Sequence, residues 1–502
     1  MKDTLILALD IGTTSTRALL FDAAGHPVPD CIAQVANHLD ITQEGGATFD
    51  PAALFDQVIA VIDQVLQRAG NRAQSIGAVV SATFVSNVMG VSDAGEPVTP
   101  LFIYADTRNA SDADQLRSEL GTAGVRASHD RTGALLHTSY LPARFRWLAR
   151  THPNWRKGST YWMSFGEYLY WKLLGKRAVS YSVASWTGLL NRHSLTWDQE
   201  WLTTLGLDRE QFSPLADVDQ PLQELLSPWA ERWPALRDIP WLPAIGDGAA
   251  ANLGSGCDQP TRIALTIGTT GAMRVVVDPN LPQVPDGLWL YRVASTQGLL
   301  GGATTEGGNL FAWLRESLQL PPIDQLEKEL GMRAPAAHGL TILPFVAGER
   351  APGWNDHARA SIVGFTLNTR PIDLVQAALE SIAYRFSLIY RRVKPHMHGT
   401  QHQIIASGGG LLSSPAWLQI MADVLGEPIV ALLEKEITSR GIALLGLQQL
   451  GIIQQLSELP PTTGHTYLPN HAHHTRHQAA IERQAEVYDL LVTRVAIEHQ
   501  HQ

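Results

Sequence analysis

Leu7 to Asp22 reads L-A-L-D-I-G-T-T-S-T-R-A-L-L-F-D, and Ile263 to Asp278 reads I-A-L-T-I-G-T-T-G-A-M-R-V-V-V-D. The two align without a gap: Ala8 with Ala264, Leu9 with Leu265, Ile11 with Ile267, Gly12 with Gly268, Thr13 with Thr269, Thr14 with Thr270 and Asp22 with Asp278. Each is an apolar run, a Gly-Thr-Thr turn and a second β-rich run ending in Asp, the pattern of a hairpin with a small-residue turn. A hairpin repeated at domain-scale spacing implies two related domains facing one another. Gly lets the backbone approach closely, while Thr hydroxyls and neighbouring N–H groups donate to anionic oxygens, so the paired turns suit a phosphate chain held between the halves. Asp10 of the first copy becomes Thr266 in the second. A carboxylate on one side only suits a metal ion on one side of the phosphates.

The chain around these hairpins has 502 residues, 45% hydrophobic and 17% charged, enough for two or more domains with large cores. A net charge of -10 leaves no electrostatic footprint for nucleic acid or an acidic membrane surface. A small anion must therefore be met by local donors. Cys31 and Cys257 are too few for a disulfide framework and lack CxxC spacing, which favours a reducing compartment. Asp10 interrupts the first apolar run and no cleavage site follows, so a signal peptide is not expected; no run approaches a membrane span, and the expected location is the cytoplasm.

Pro51 to Arg68 carries apolar residues at helical spacing, and Ile76 to Val80 reads as a buried strand running toward Thr83. Leu101 to Arg108 and Arg131 to Leu148 mix aromatic, acidic and basic residues as cleft walls do. Within them Asp106 and Arg108 can hold sugar hydroxyls, and His137 is a further ligand candidate. Tyr168, Leu169, Trp171, Leu173 and Leu174 make a buried helix closed by Gly175. The Pro- and Trp-rich Ser227 to Pro243 marks a boundary, giving domains 1–244 and 245–502. Asp247, between Gly246 and Gly248 at the tip of an apolar stretch, is the candidate base for phosphoryl transfer to an alcohol. Pro371 to Val393 is an amphipathic core helix, and Gln403 to Gly426 gives a strand, three glycines and a helix that Ser414 caps with Pro415 at its first position. His471 to His477 reads as a polar linker before a final helix from about Gln478 to Val495, and not as a metal site.

Together L-D-I-G-T-T-S-T-R, G-D-G-A-A-A-N, L-T-I-G-T-T-G and S-G-G-G-L-L-S-S-P-A-W-L-Q-I-M-A-D resemble the FGGY family of carbohydrate kinases. The resemblance implies an α/β fold of two duplicated ribonuclease H-like domains, of the actin and hexokinase type, with an interdomain cleft. It implies ATP-dependent phosphorylation of a sugar, sugar acid or polyol, with Asp247 as catalytic base and substrate contact and Asp10 on Mg²⁺. The implied ATP-binding residues are Gly12, Thr13, Thr14, Thr16, Gly268, Thr269, Thr270, Gly409, Gly410 and Ser414. E-I-T-S-R-G-I-A at Glu436 to Ala443 is similar to the family's late glutamate-to-glycine helix start. S-F-G-E-Y-L-Y-W-K-L-L-G with S-V-A-S-W-T-G-L-L-N is similar to the gluconate kinase-like branch, but Val85 stands where many relatives carry a sugar-contacting His, and Tyr181 where many carry Asp. A gluconate carboxylate would want a cation, for which Arg108, Arg131 and Arg350 are candidates. The implied partner is a small-molecule sugar or sugar acid, with no nucleic acid and no membrane and a homodimer left open. Kinases for xylulose, ribulose or erythritol, and a nucleotide-switched sugar sensor without turnover, are the competing readings.

Overall fold

The computed structural model describes residues 3–399 and 402–494. In the first sheet the wholly buried Leu5–Ile11 lies antiparallel to Ser15–Phe21, which lies antiparallel to Pro27–Ala36. On the other side Ile76–Thr83 is parallel to Leu5–Ile11, and Ile245–Gly246 is parallel to Ile76–Thr83. The second sheet repeats the plan. Arg262–Ile267 pairs antiparallel with Gly271–Val277, which pairs antiparallel with Gln297–Thr304, while Gln403–Ser407 runs parallel on the other side. Trp289–Ala294 extends one edge, and Ile429–Leu432 with Thr463–Tyr467 extends the other. The fold is the mixed α/β fold of two similar halves that the resemblance implies.

Helix formation follows the expected signals. Asp50 accepts from the N–H groups of Ala52 and Ala53 to start Pro51–Ala69, which buries Leu54, Val58, Val61, Ile62 and Val65 toward the first sheet. Pro371–Val393 is buried on nearly every side, between the second sheet and helix Pro415–Leu425.

Two elements from the second half are embedded in the first. Helix Ile437–Gln449 packs on Asp247–Gly254 and on strands Leu5–Ile11 and Ile76–Thr83. Gly441 and Gly254 make this crossing, because a Cβ on either would collide with backbone of the other helix. Strand Trp289–Ala294 carries Tyr291 onto Trp186, with ring centroids 3.9 Å apart, and Trp289 onto the same indole at 5.3 Å. One hydrophobic core therefore spans both halves.

Two expectations are corrected. Ile245–Gly246, assigned to the second domain, completes the first sheet by pairing with Ala82 and Thr83, so the break between sheets falls between Gly254 and Arg262. His471–His477 is no linker but the first two turns of helix His471–Tyr488, capped by Asn470, with His477 buried against Tyr384 and His473 on Asp423 at 2.8 Å. The expected helix end at Val495 lies outside the described residues. Among those described, no helix is long and apolar enough to cross a membrane.

Candidate active site

Asp247 is the first residue of helix Asp247–Gly254, directly after the last strand of the first sheet. The Gly248 N–H donates to its Oδ1 at 2.7 Å. The half-buried carboxylate lines a cavity of about 190 Å³ walled by Val85, Ser86, Tyr104, Ser139, Tyr140 and Trp186 from the first half and by Thr270, Arg274 and Arg350 from the second. Burial pushes the Asp247 carboxyl up to about 6, with Arg274 opposing the rise and Asp10 adding to it. Such a group is ionised at neutral pH yet basic enough to take a proton in a transition state.

Asp247 is the only carboxylate on this lining, against two guanidinium groups. Burial lowers the Arg274 pKa to about 10, which leaves it cationic at neutral pH, and its buried Nε and Nη1 have no hydrogen-bond partner among the described residues. The buried Nε of Arg350 likewise has no partner among the described residues, and its guanidinium lies 5.9 Å from the Tyr104 ring centroid and 5.8 Å from that of Trp354. Buried donors of this kind are costly unless a ligand meets them.

The two Gly-Thr-Thr turns complete the site. In the first, Gly12 N–H donates to Ser15 O, and Asn37 Nδ2 donates to Gly12 O at 2.6 Å. In the second, Gly268 N–H donates to Thr270 O and the turn is braced by Gly308 N–H to Gly268 O at 2.8 Å and Asn309 N–H to Thr269 O at 3.1 Å. Thr14, Thr269 and Thr270 are exposed, and a Cβ built on Gly268 or Gly409 would meet nothing, so backbone here faces open space. Gly410 approaches the Gly268 carbonyl so closely that a Cβ would sit 2.8 Å from its oxygen. Beyond it, Gly410, Ser414, Phe311, Leu379 and Trp417 line a second cavity of about 190 Å³. Ser414 Oγ accepts from Trp417 N–H at 3.1 Å, as a cap, and donates to Glu327 at 2.6 Å. A largely apolar slot beside bare glycine backbone fits a purine and its phosphate chain.

Asp10 is the next-to-last residue of the first strand, ion-paired with Arg17 at 2.6 Å; Arg17 also holds Glu436 at 2.6 Å. Burial raises the Asp10 pKa, so a cation there would relieve a real cost. Among the described residues no three acidic, His or Cys groups gather around one point. The donor set fits Mg²⁺, which is commonly held by one or two carboxylates with phosphate and water completing its shell.

Family models agree with this layout. The N-terminal domain of the FGGY family of carbohydrate kinases matches residues 5–254 and its C-terminal domain matches residues 263–450. The chain belongs to the FGGY family of carbohydrate kinases. It is therefore a phosphotransferase acting on a sugar hydroxyl. The break between the two matches coincides with the break between the sheets. This FGGY kinase is 28% identical to the gluconokinase of Bacillus subtilis (strain 168) over 474 residues, 92% of this chain and 91% of that protein. It is also 28% identical to a glycerol kinase of Alcanivorax borkumensis over 465 residues, 90% of this chain and 91% of that one. The crystal structure of gluconate kinase from Lactobacillus acidophilus superposes with a TM-score of 0.89 at 26% identity, covering 97% of this chain and 98% of the other. A ligand-bound xylulose kinase from the same organism gives 0.89 at 27%, with the same coverage. Likeness of this even strength to differently named kinases gives the reaction class and leaves the sugar open.

Within this FGGY kinase, Asp10, Asp247 and the two turns are brought together, and five expected contacts are not. Thr16 is wholly buried, its hydroxyl donating to Asn37 at 2.9 Å, so it props the first turn from behind. Asp106 is buried in an ion-pair cluster with Arg108 at 2.5 Å and Arg144 at 2.9 Å, both stacked near Trp147, away from the cavity lining. His137 holds Asp356 at 2.7 Å. Arg131 pairs with Asp198 at 2.5 Å and Glu200 at 2.9 Å. The segments identified as cleft walls do reach the cavity, but through Tyr104, Ser139 and Tyr140. Arg274 was missed. Its signal is a lone arginine within the otherwise apolar Gly271–Val277.

Proposed function

We propose that this kinase phosphorylates a sugar acid, D-gluconate to 6-phosphogluconate, with ATP as donor and Mg²⁺ as its companion ion. The observation that carries the choice is the cavity's charge: Arg274 and Arg350 with unpartnered buried nitrogens, against the single carboxylate of Asp247. A substrate carboxylate supplies the acceptor that neutral sugars lack, and charge-assisted hydrogen bonds to guanidinium are among the strong ones. The gluconokinase relatives support the same reading.

In this reading Asp247 accepts the proton of the attacking hydroxyl, which Tyr104, Ser139 and the aromatic wall of Trp186 and Tyr140 orient. Arg350 takes the acid end of the substrate, and Arg274 steadies charge beside Asp247. Gly12, Thr13 and Thr14 of one turn, with Gly268, Thr269 and Thr270 of the other, hold phosphate oxygens from opposite sides. Gly409, Gly410 and Ser414 seat the adenosine, and Asp10 serves the metal. Mg²⁺-ATP supplies the phosphoryl group and neutralises its charge. The functional domains are the two halves that carry the two turns.

The test is ADP production across gluconate, xylulose, ribulose, erythritol and glycerol. Gluconate is expected to exceed every neutral substrate in kcat/KM by about 10²-fold, the scale of a buried charge pair. A neutral sugar turned over better than gluconate would overturn the assignment.

A further inference from the structure

A cavity of about 480 Å³, sharing no lining residue with the two already described, opens where elements of both halves meet. Its walls include the turn at Asp217 and Asp219, the hairpin tip at Ser295 and Gln297, and the end of the crossing helix at Gln448 and Gln449. Asp217, Asp219 and Asp258 face it, and among the described residues no Lys, Arg or His does.

The three carboxylates differ in what they already hold. Asp217 accepts from Ser295 N–H at 3.1 Å and Val218 N–H at 2.8 Å, with Arg292 close enough to feel its charge. Asp219 is exposed. Asp258 is only 7% exposed, and its carboxylate has no hydrogen-bond or ion-pair partner among the described residues. A largely buried carboxylate that lines the cavity and is met by no protein donor leaves its acceptor capacity to whatever occupies the cavity. The acids are too dispersed to hold one metal ion, since no such cluster exists among the described residues. Leu242, Leu253, Leu445 and Leu456 lie on the same lining. Spaced negative charge with apolar side chains between describes the complement of an extended chain of methylenes bearing separated ammonium groups.

We propose that this cavity binds a linear aliphatic polyamine and that binding tunes the kinase. Leu253 lies on the helix that begins with Asp247. Gln448 and Gln449 end the helix whose start follows Glu436, the second partner of Arg17 beside Asp10. A ligand bridging these elements biases the relation of the two halves and hence the reacting groups.

Isothermal titration of spermidine into the full chain, at fixed ionic strength, tests this. One saturable site is expected, weakened about tenfold or more by Asp258→Asn and severalfold by Asp219→Asn, and unchanged by the exposed control Asp93→Asn. Absence of a saturable site, or equal affinity in all variants, would overturn the proposal as diffuse attraction to an acidic chain. Displacement of spermidine by Mg²⁺ at matched ionic strength would overturn it in favour of a metal site. If Asp258→Asn does not fold, the exposed Asp219→Asn still decides, together with slowed hydrogen exchange at 293–297 and 445–456 in the wild type. Spermidine is expected to shift kcat or KM at least twofold in the wild type and not in the variant that fails to bind it; no shift would overturn the regulatory part.

Discussion

In the first hairpin Asp10 stands opposite Arg17 and is ion-paired with it; in the second Thr266 stands opposite Ala272 and shares a hydrogen bond with Ser407 at 2.9 Å. The backbone plan is shared, down to a glycine N–H closing each turn. The ionisable equipment is divided instead. Asp10 and Asp247 sit at strand ends of the first sheet, while Arg274 lies on the second and Arg350 comes from the second half. Duplication supplied two phosphate-type turns, and divergence made one wall of the cleft acidic and the other basic. In the proposed reaction that asymmetry would give a direction to proton removal and to charge recognition, which two identical walls could not.

The acidic wall is broken most severely by Asp247→Asn, expected to lower turnover by about 10²-fold or more while calorimetry shows gluconate and ATP binding retained. The pH dependence sharpens the same point. As the proposed base Asp247 acts deprotonated, and its pKa, raised from the ordinary carboxylate range to about 6, sets the expectation that kcat/KM is half-maximal near pH 6, full about one unit above it, and falls about tenfold per unit below it. A profile flat down to pH 5 would exclude this carboxylate as the base.

The basic wall is broken by Arg350→Met, for which the gluconate KM is expected to rise about 10–100-fold with kcat little changed. Arg274→Met adds a second signature: removing the cation that opposes the Asp247 shift moves the acid limb to higher pH. The metal side comes next, where Asp10→Asn is expected to raise the Mg²⁺ needed for half-maximal rate about tenfold. Adding Thr266→Asp to that variant is not expected to rescue it, because no second Arg17 stands opposite. The smallest effect is that of Thr16→Val. It is expected to cost about 1–2 kcal/mol in unfolding free energy by leaving Asn37 Oδ1 without its donor, without changing the KM for ATP.

What the sequence made legible was what local pattern encodes. The duplicated turns, helix Pro371–Val393 and the Ser414 cap are all written in adjacent residues. The misplaced boundary concerned a strand of two residues whose partner lies far back in the chain, so no local period announces it. Asp106 and Arg108 read as sugar ligands in the sequence because Arg144, which completes their cluster, is invisible from their own segment. Arg274 passed unnoticed because one charged residue in a β-rich run has the pattern of an outward-facing position, whereas here it points into the cleft between two sheets.

The crossing helix Ile437–Gln449 also has a consequence for how the protein is made. Gly446 rests on Ile6 and Val80, and the helix covers strands that lie far ahead of it in the chain and are therefore synthesised well before it. At ordinary elongation rates roughly half a minute separates the two events. During that interval the first sheet is without the helix that packs on it, carrying its buried Ile and Val residues into an unfinished surface. Chaperone occupancy of nascent chains is therefore expected to persist until residue 449 has cleared the exit tunnel, and C-terminal truncations before that residue are expected to aggregate although they contain the whole first sheet.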